Sequence, residues 1–305
     1  MRSQFHRLRA GDVISFSAGQ DAGDPRKFRC IHNSGEDRLA NVVCHFPKLA
    51  SVLQTVPMIV NCYPAALGAF PSAAICDTYV RQSAFSRALD LCDLEEQTAI
   101  ILGQPLAVAN LLFHHMVNQG TMPQNAIICV GGYYCPSSLE KFIQRILEEL
   151  ECSSQFFHAY GMAEVDFAIF VGERVLPHGR VSYIHVAPHV LYQTNGNELQ
   201  LRRIDDDVFH GTGDHGEFDE NGRLAIRSGR RLDSRIVELL ESWTQEDWER
   251  KTGYLRCLPD ESLRFQLRKG VTTSSVSEVK FGAFQDEFEG SFLDKPDWSV
   301  YAHTE

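Results

Sequence analysis

Residues 98–158 read TAIILGQPLAVANLLFHHMVNQGTMPQNAIICVGGYYCPSSLEKFIQRILEELECSSQFFH, and this stretch decides the fold. Thr98–Leu102 is an apolar run of strand length. Pro105 stands where a helix begins, and Leu106, Ala109, Leu112, Phe113 and Met116 then share one helical face. Ala126–Val130 is the next strand, broken by Gly131-Gly132. After Pro136, residues Leu139, Phe142, Ile143, Ile146, Leu147 and Leu150 recur at amphipathic spacing. Gln155–His158 resumes the sheet. Two consecutive strand–helix–strand units imply parallel strands with right-handed crossovers, an arrangement that gathers functional loops at the carboxyl ends of the strands.

Outward from this stretch, Val56–Val60 reads as a further buried strand. From Val181 the rhythm changes to short strands with turn punctuation, Val181–Val186, Glu198–Arg202 and Leu224–Arg227, the last following the turn Asp219-Glu220-Asn221-Gly222. A helix is predicted near Ile236–Trp248, where Trp243 and Trp248 suit packing better than binding. The expected class is α/β: a mostly parallel sheet with flanking helices plus a small β subdomain at 180–228. A boundary near Gly229 separates a core, 1–228, from a reduced C-terminal domain, 229–305.

Composition narrows the function classes. The 305 residues are 44% hydrophobic and carry a formal charge of −11. That sign disfavours nucleic acid and anionic membrane as partners, because such binding is driven by neutralising phosphates. Nine cysteines without a C-x-x-C pair indicate neither a zinc ribbon nor a disulfide framework, which fits a reducing cytosol. No signal-peptide run and no membrane-length apolar stretch is present, so a soluble cytoplasmic protein is expected.

Two segments carry chemistry. In His158-Ala-Tyr-Gly-Met-Ala-Glu164, which leaves a predicted strand and turns at its glycine, an aromatic ring beside that glycine offers a flat platform for a purine. A carboxylate four residues after Tyr160 is placed to hold magnesium on the phosphates of the same ligand. In Gly211-Thr-Gly-Asp-His-Gly-Glu-Phe218, continuing to Gly229-Arg230, glycines permit close ligand approach, and Asp214 is suited to accept hydrogen bonds from two vicinal ribose hydroxyls. Arg230 would supply a cation fork near ribose or phosphate oxygens.

Together with Asn197-Glu-Leu-Gln-Leu201, these segments resemble the signatures of the adenylate-forming (acyl-AMP ligase) superfamily, in that family's order. Val130-Gly-Gly-Tyr-Tyr-Cys-Pro136 resembles the turn that borders the adenine there. The resemblance spans about Asp12 to Arg235, a core without the family's front subdomain, and is nearest to phenylacetate-CoA-ligase-like proteins, acyl-protein synthetases and phenazine-pathway adenylating enzymes. It implies ATP and Mg2+ as cofactors and a small aryl or acyl carboxylic acid as substrate, activated to an acyl-adenylate in a biosynthetic pathway. It further implies CoA, a carrier protein or an amine as acceptor. Site residues by this resemblance are Glu164 and Arg230 for catalysis, with Glu164 also the metal ligand. Ser17, Gly19, Lys27, Gly131, Gly132, Tyr133, Tyr160, Gly161, Met162 and Asp214 would hold the nucleotide.

Departures from the family pattern keep alternatives open. Val13–Lys27 is similar to the phosphate loop with an extra residue and with Asp21 adding negative charge, so it is either a phosphate cradle or a repurposed turn. Ala163 stands where relatives carry threonine, and Leu232 where a hinge acid is usual. No C-terminal run matches the catalytic-lysine motif; Lys269, Lys280 and Lys295 are the candidates for that role. Hence two rivals to a ligase: a binding protein that keeps the fold without turnover, and an acyltransferase that accepts a preformed activated acyl group. His114 and His115 point to different helix faces and read as one exposed and one buried side chain. His158 reads as a core residue at a strand end. Cys129 and Cys135 flank the Gly-Gly turn, where an acyl-cysteine intermediate competes with small-hydrophobe packing. A missing subdomain would leave apolar surface for a second copy to cover as a homodimer.

Overall fold

The computed structural model describes residues 13–16, 28–31, 37–63, 67–68, 70–79, 81–132, 134–162, 164–175, 179–229, 241–249, 263–268 and 278–283. Two short antiparallel pairs stand apart from the main sheet: β1 (Val13–Phe16) with β2 (Phe28–Ile31), and β14 (Leu263–Arg268) with β15 (Glu278–Ala283). Between them runs one 11-stranded mixed sheet with helices packed on it.

The parallel part of the sheet contains β3 (Met58–Asn61), β4 (Ala74–Asp77), β5 (Ala99–Gly103), β6 (Asn125–Gly131) and β7 (Ser153–Met162), in the order β7-β6-β5-β3-β4. β5 pairs parallel with β6, and β6 with β7, as the two strand–helix–strand units require. The intervening helices are α3 (Pro105–Val117), which starts on its proline, and α4 (Ser137–Glu149). Strand alternation sorts the core into two faces. Val60, Ile101, Ile128 and Phe156 lie with α3, α4 and α2 (Gln82–Leu94) in one cluster. Ile59, Ile100, Ile127 and Phe157 lie on the other face with Phe46 and Leu49, beside α1 (Arg38–His45). Ile59, Ile100 and Ile127 are register partners across three strands, so β-branched side chains stack in a row that excludes water.

α2, α3 and α4 each stop through a left-handed residue, Glu96, Gln119 and Glu151, with φ of 52°, 59° and 56°. The amide after each reaches back five residues, for example Cys152 N–H to the Leu147 carbonyl at 2.9 Å. These are Schellman-type endings in which a non-glycine accepts the left-handed conformation.

The antiparallel part begins at β8 (Asp166–Val175), which doubles back on β7, and continues through β9 (Arg180–His185), β13 (Leu224–Gly229), β12 (His210–Phe218), β11 (Glu198–Arg203) and β10 (Val190–Asn195). The Tyr160-Gly161-Met162 segment differs from its sequence reading as a turn. It stays in β7, and the described turn residues are Glu164 and Val165, just before β8. The reason is steric: a Cβ on Gly161 would lie 2.6 Å from the Asp166 carbonyl and 2.9 Å from Ala168 N. Glycine therefore lets the return strand approach, with a register shift between Tyr160 and Met162. No helix among the described residues is long and apolar enough to cross a membrane.

Candidate functional site

The site is built at the carboxyl edge of the parallel strands. β6 ends at Gly131, which is the register partner of Ala159, one residue before Tyr160. A Cβ on Gly131 would meet the Ala159 carbonyl at 2.6 Å, and Gly132 has a φ of 87°, so this turn needs both glycines. Tyr63, just past β3, brings its hydroxyl against the same turn, 3.0 Å from the Gly131 Cβ position; the Gln104 side chain reaches within 3.8 Å of the Gly132 one. Neither Tyr63 nor Gln104 was marked by a sequence motif, but both follow strand ends, the places where such a topology gathers function.

Tyr160 and Asp214 meet. The Tyr160 hydroxyl donates to the buried Asp214 carboxylate at 2.8 Å, although 54 residues separate them. The Tyr160 ring is half-buried against Phe170 and Tyr183, with centroids 6.3 and 6.1 Å away, so hydroxyl and ring are both held. Asp214 is fixed in turn by the strand that supplied the middle sequence element. Gly213 N–H donates to the Glu198 carboxylate at 3.0 Å, and the Thr212 hydroxyl donates to the Leu199 carbonyl at 2.8 Å. A Cβ on Gly211 would strike that Glu198 carboxylate at 2.7 Å. The Gly211–Asp214 signature and the Glu198-Leu199 pair are thus one hydrogen-bonded unit.

Glu164 sits half-buried in the turn between β7 and β8. The base of that turn is tied down by Asp166, whose carboxylate receives Arg38 at 2.7 Å, lies 2.7 Å from His189 Nε2 and accepts Phe167 N–H at 2.7 Å. Arg38, from α1, also covers the Phe167 ring at 4.2 Å. Among the described residues no group of three His, Cys, Asp or Glu side chains converges on a metal-sized point. A single carboxylate suits magnesium, which commonly takes one or two protein carboxylates and the oxygens of a phosphate ligand. Met162 packs at the margin of the cluster formed by Ile169, Phe170 and Leu199. Ser17, Gly19, Lys27, Tyr133 and Arg230 lie outside the described residues, as do Ala163, Leu232 and Lys295. Gly229, which precedes Arg230, is the register partner of Asp214.

Behind the site lies a buried trio, an Arg174–Glu140 ion pair with His158 bonded to it. Arg174 Nε donates to Glu140 at 2.6 Å, another of its N–H groups donates to the Cys135 carbonyl at 2.5 Å, and a third to the Gly179 carbonyl. His158 Nε2 is 3.0 Å from the same Glu140 oxygen. Burial alone would raise the Glu140 carboxyl, but the bonds to His158 and Arg174 outweigh it and hold it below its ordinary value. Burial pushes His158 down despite its Glu140 partner. His158 is therefore the core residue its strand-end position suggested.

His115 is fully buried with Nε2 on the Thr121 carbonyl, whereas His114 is half-buried and bonded to Asn118, so the two adjacent rings do part company. Cys129 and Cys135 are free thiols; burial pushes Cys129 up to about 12 and Cys135 well above its ordinary value. Both are protonated at neutral pH and unsuited to nucleophilic attack. Accordingly, brief iodoacetamide treatment of the native protein at neutral pH, read residue by residue by mass spectrometry, is expected to modify exposed Cys44 and to spare Cys129 and Cys135. Rapid labelling of Cys135 would restore the acyl-cysteine alternative.

No protein-family model matches the chain, and no curated protein matches it. Solved structures do. One is an acyl-CoA synthetase (AMP-forming)/AMP-acid ligase II-like protein from Dyadobacter fermentans, at 12% identity and a TM-score of 0.47, covering 90% of this chain and 75% of that one. Another is an amide bond synthetase from Marinactinospora thermotolerans, at 15% identity and a TM-score of 0.41, covering 90% of this chain and 59% of that one. A third is an anthranilate CoA ligase in complex with anthranoyl-AMP, at 12% identity and a TM-score of 0.47, covering 88% of this chain and 56% of that one. The chain thus spans less than two thirds of the length of the last two.

Proposed function

We propose that the chain binds ATP at the carboxyl edge of its parallel strands and activates a small carboxylic acid to an acyl-adenylate. The observation that carries this reading is the 2.8 Å bond between Tyr160 and Asp214, which joins two signature segments distant in sequence beside the Gly131-Gly132 turn. Tyr160, braced by Phe170, Tyr183 and Asp214, presents a fixed ring to the adenine. Asp214, immobilised through Thr212 and Gly213, accepts from the ribose hydroxyls. Glu164 is the residue that would hold magnesium, which when bound neutralises phosphate charge. In the reaction a carboxylate oxygen forms a bond to the α-phosphorus, the bond from that phosphorus to the bridging oxygen breaks, and pyrophosphate leaves with the electron pair. The protein's contribution is placement and charge compensation.

The acceptor after adenylation, whether CoA, a carrier protein or an amine, belongs to the same reading. Titrating the protein with ATP and magnesium by calorimetry, followed by ATP/pyrophosphate exchange with a panel of aryl and aliphatic acids, tests it. Binding with acid-dependent exchange is the expected result. Binding without exchange for any acid would leave a nucleotide-binding protein, and absence of binding would end the reading.

A further inference from the structure

Glu241 belongs to no sequence signature, yet its carboxylate ends on the turn that follows Gly131 and Gly132. Ser137 N–H donates to both of its oxygens at 2.9 Å, the Tyr134 hydroxyl donates at 2.5 Å, and the Ser137 hydroxyl donates as well. Ser137 opens α4, so Glu241 satisfies an amide that the helix itself leaves without a partner and complements the positive end of its dipole. Arg174 holds the same run at the Cys135 carbonyl. The turn is therefore held both by a cation from the sheet and by an anion from a segment that follows the Gly229-Arg230 signature in sequence.

That segment, 241–249, is seated by more than its charge. Trp248 is 1% exposed, lies in the same core cluster as Leu139 and Phe142 of α4, and donates its indole N–H to the Ser138 hydroxyl at 3.1 Å. Trp243 packs edge-on against it with centroids 4.6 Å apart. Thr244 and Asp247 cap each other reciprocally: Thr244 N–H and hydroxyl donate to the Asp247 carboxylate at 2.9 and 2.8 Å, and Asp247 N–H donates to the Thr244 hydroxyl at 3.3 Å. An apolar anchor thus fixes the segment in the core while the charged anchor lands on the turn beside Tyr160.

We propose that Glu241 is a positioning residue of the nucleotide site: the docked 241–249 segment fixes Tyr134–Ser137, the run that follows the Gly131-Gly132 pair, and a nucleotide held at that pair in exchange fixes the segment. The proposal rests on the nucleotide reading above. Without Glu241, the Ser137 amide and the Tyr134 hydroxyl lose their carboxylate acceptor, the turn gains freedom, and a nucleotide must pay its ordering entropy on binding. Glu241 does not touch the reacting atoms, so affinity changes and the chemical step does not. Coupling of this kind is reciprocal by linkage.

The test uses the whole chain with ATP and magnesium as the probe. Hydrogen exchange of the 241–249 amides is followed with and without the probe in wild type, Glu241→Gln and Tyr134→Phe, and the dissociation constant is measured by calorimetry for each. In wild type the nucleotide is expected to slow exchange in 241–249 about fivefold or more. Glu241→Gln is expected to weaken nucleotide binding about tenfold and to remove that slowing, a loss of roughly one charge-assisted bond. Tyr134→Phe, which keeps the helix end capped, is expected to shift both in the same direction by less, and it remains informative if Glu241→Gln fails to fold. Nucleotide binding that leaves 241–249 exchange unchanged in wild type overturns the proposal while sparing the nucleotide reading. So does a Glu241→Gln protein that melts earlier but binds with unaltered affinity. Absence of nucleotide binding to wild type overturns both.

Discussion

Replacing Asp214 with alanine is expected to weaken ATP binding about 100-fold, the largest loss anticipated from a single site residue. Two hydrogen bonds from ribose hydroxyls to a charged carboxylate are worth about 3 kcal/mol together, which is a factor of about 100 in affinity. Asp214 also anchors Tyr160 through the 2.8 Å bond, so part of any loss comes from a loosened aromatic platform. Tyr160→Phe isolates that part, because it removes the hydroxyl and keeps the ring. If Asp214 acts on the nucleotide directly, calorimetry should show a loss for Asp214→Ala that is at least tenfold larger than for Tyr160→Phe. Equal losses would mean that the carboxylate serves only to orient the ring.

Arg174→Met is expected to cost about 3–5 kcal/mol of folding stability, as removal of one partner from a buried ion pair does. The side chain is 7% exposed and its Glu140 partner 11%, so solvent cannot take over the role of the guanidinium. The carbonyls of Cys135 and Gly179 lose their donor in the same step. The double variant Arg174→Met with Glu140→Gln is expected to recover a large part of the loss, since it removes the stranded charge. A chemical denaturation series on the two variants measures this. Recovery of less than about 1 kcal/mol would show that the carbonyl bonds, and not the ion pair, carry the effect.

The same trio sets an acid limit. His158 is held below its ordinary value of 6.5 by burial, against the opposing pull of Glu140, so the unfolded chain binds the extra proton as pH falls through 6.5. Stability from this group is present above 6.5 and is lost progressively below it. Glu140, held below its ordinary 4.5 by His158 and Arg174 against burial, adds a second loss that begins near 4.5. Thermal melts from about pH 8 to about pH 2 should therefore decline in two stages, and His158→Asn should diminish the first, to which His185, likewise pushed down by burial, also contributes.

The parallel half of this fold was legible because its periodicities are unambiguous. The Ile100 and Ile127 strands and the Leu139–Leu147 helix face appear where the alternation and the helical spacing put them. The core residues Phe85, Ala88, Leu89 and Cys92 of α2 have helical spacing too, but polar residues at most other positions of Gln82–Leu94 blur the pattern. The antiparallel return was obscured for a different reason. β8 is an apolar run directly after a motif read as a loop, and only coordinates show that Gly161 serves the close approach of Asp166 and Ala168.

The site divides in the same way. Tyr160, Asp214 and the Gly131-Gly132 turn stand out in the sequence as candidates because glycines and an aromatic residue sit at fixed spacing. Tyr63, Gln104, Arg174 and Glu241 act through tertiary proximity, 104 residues in sequence separating Ser137 from Glu241, and no local pattern announces them. Glu198 stood within a quoted motif, but its bond to Gly213 N–H could not be read from spacing.

A co-crystal of the chain with ATP and magnesium tests the central claim most directly. The account requires the adenine to lie against the Tyr160 ring next to Gly131 and Gly132, with the ribose hydroxyls on Asp214 and the phosphates directed toward Glu164. Nucleotide bound elsewhere, with the Tyr160–Asp214 pair untouched by it, would contradict the account.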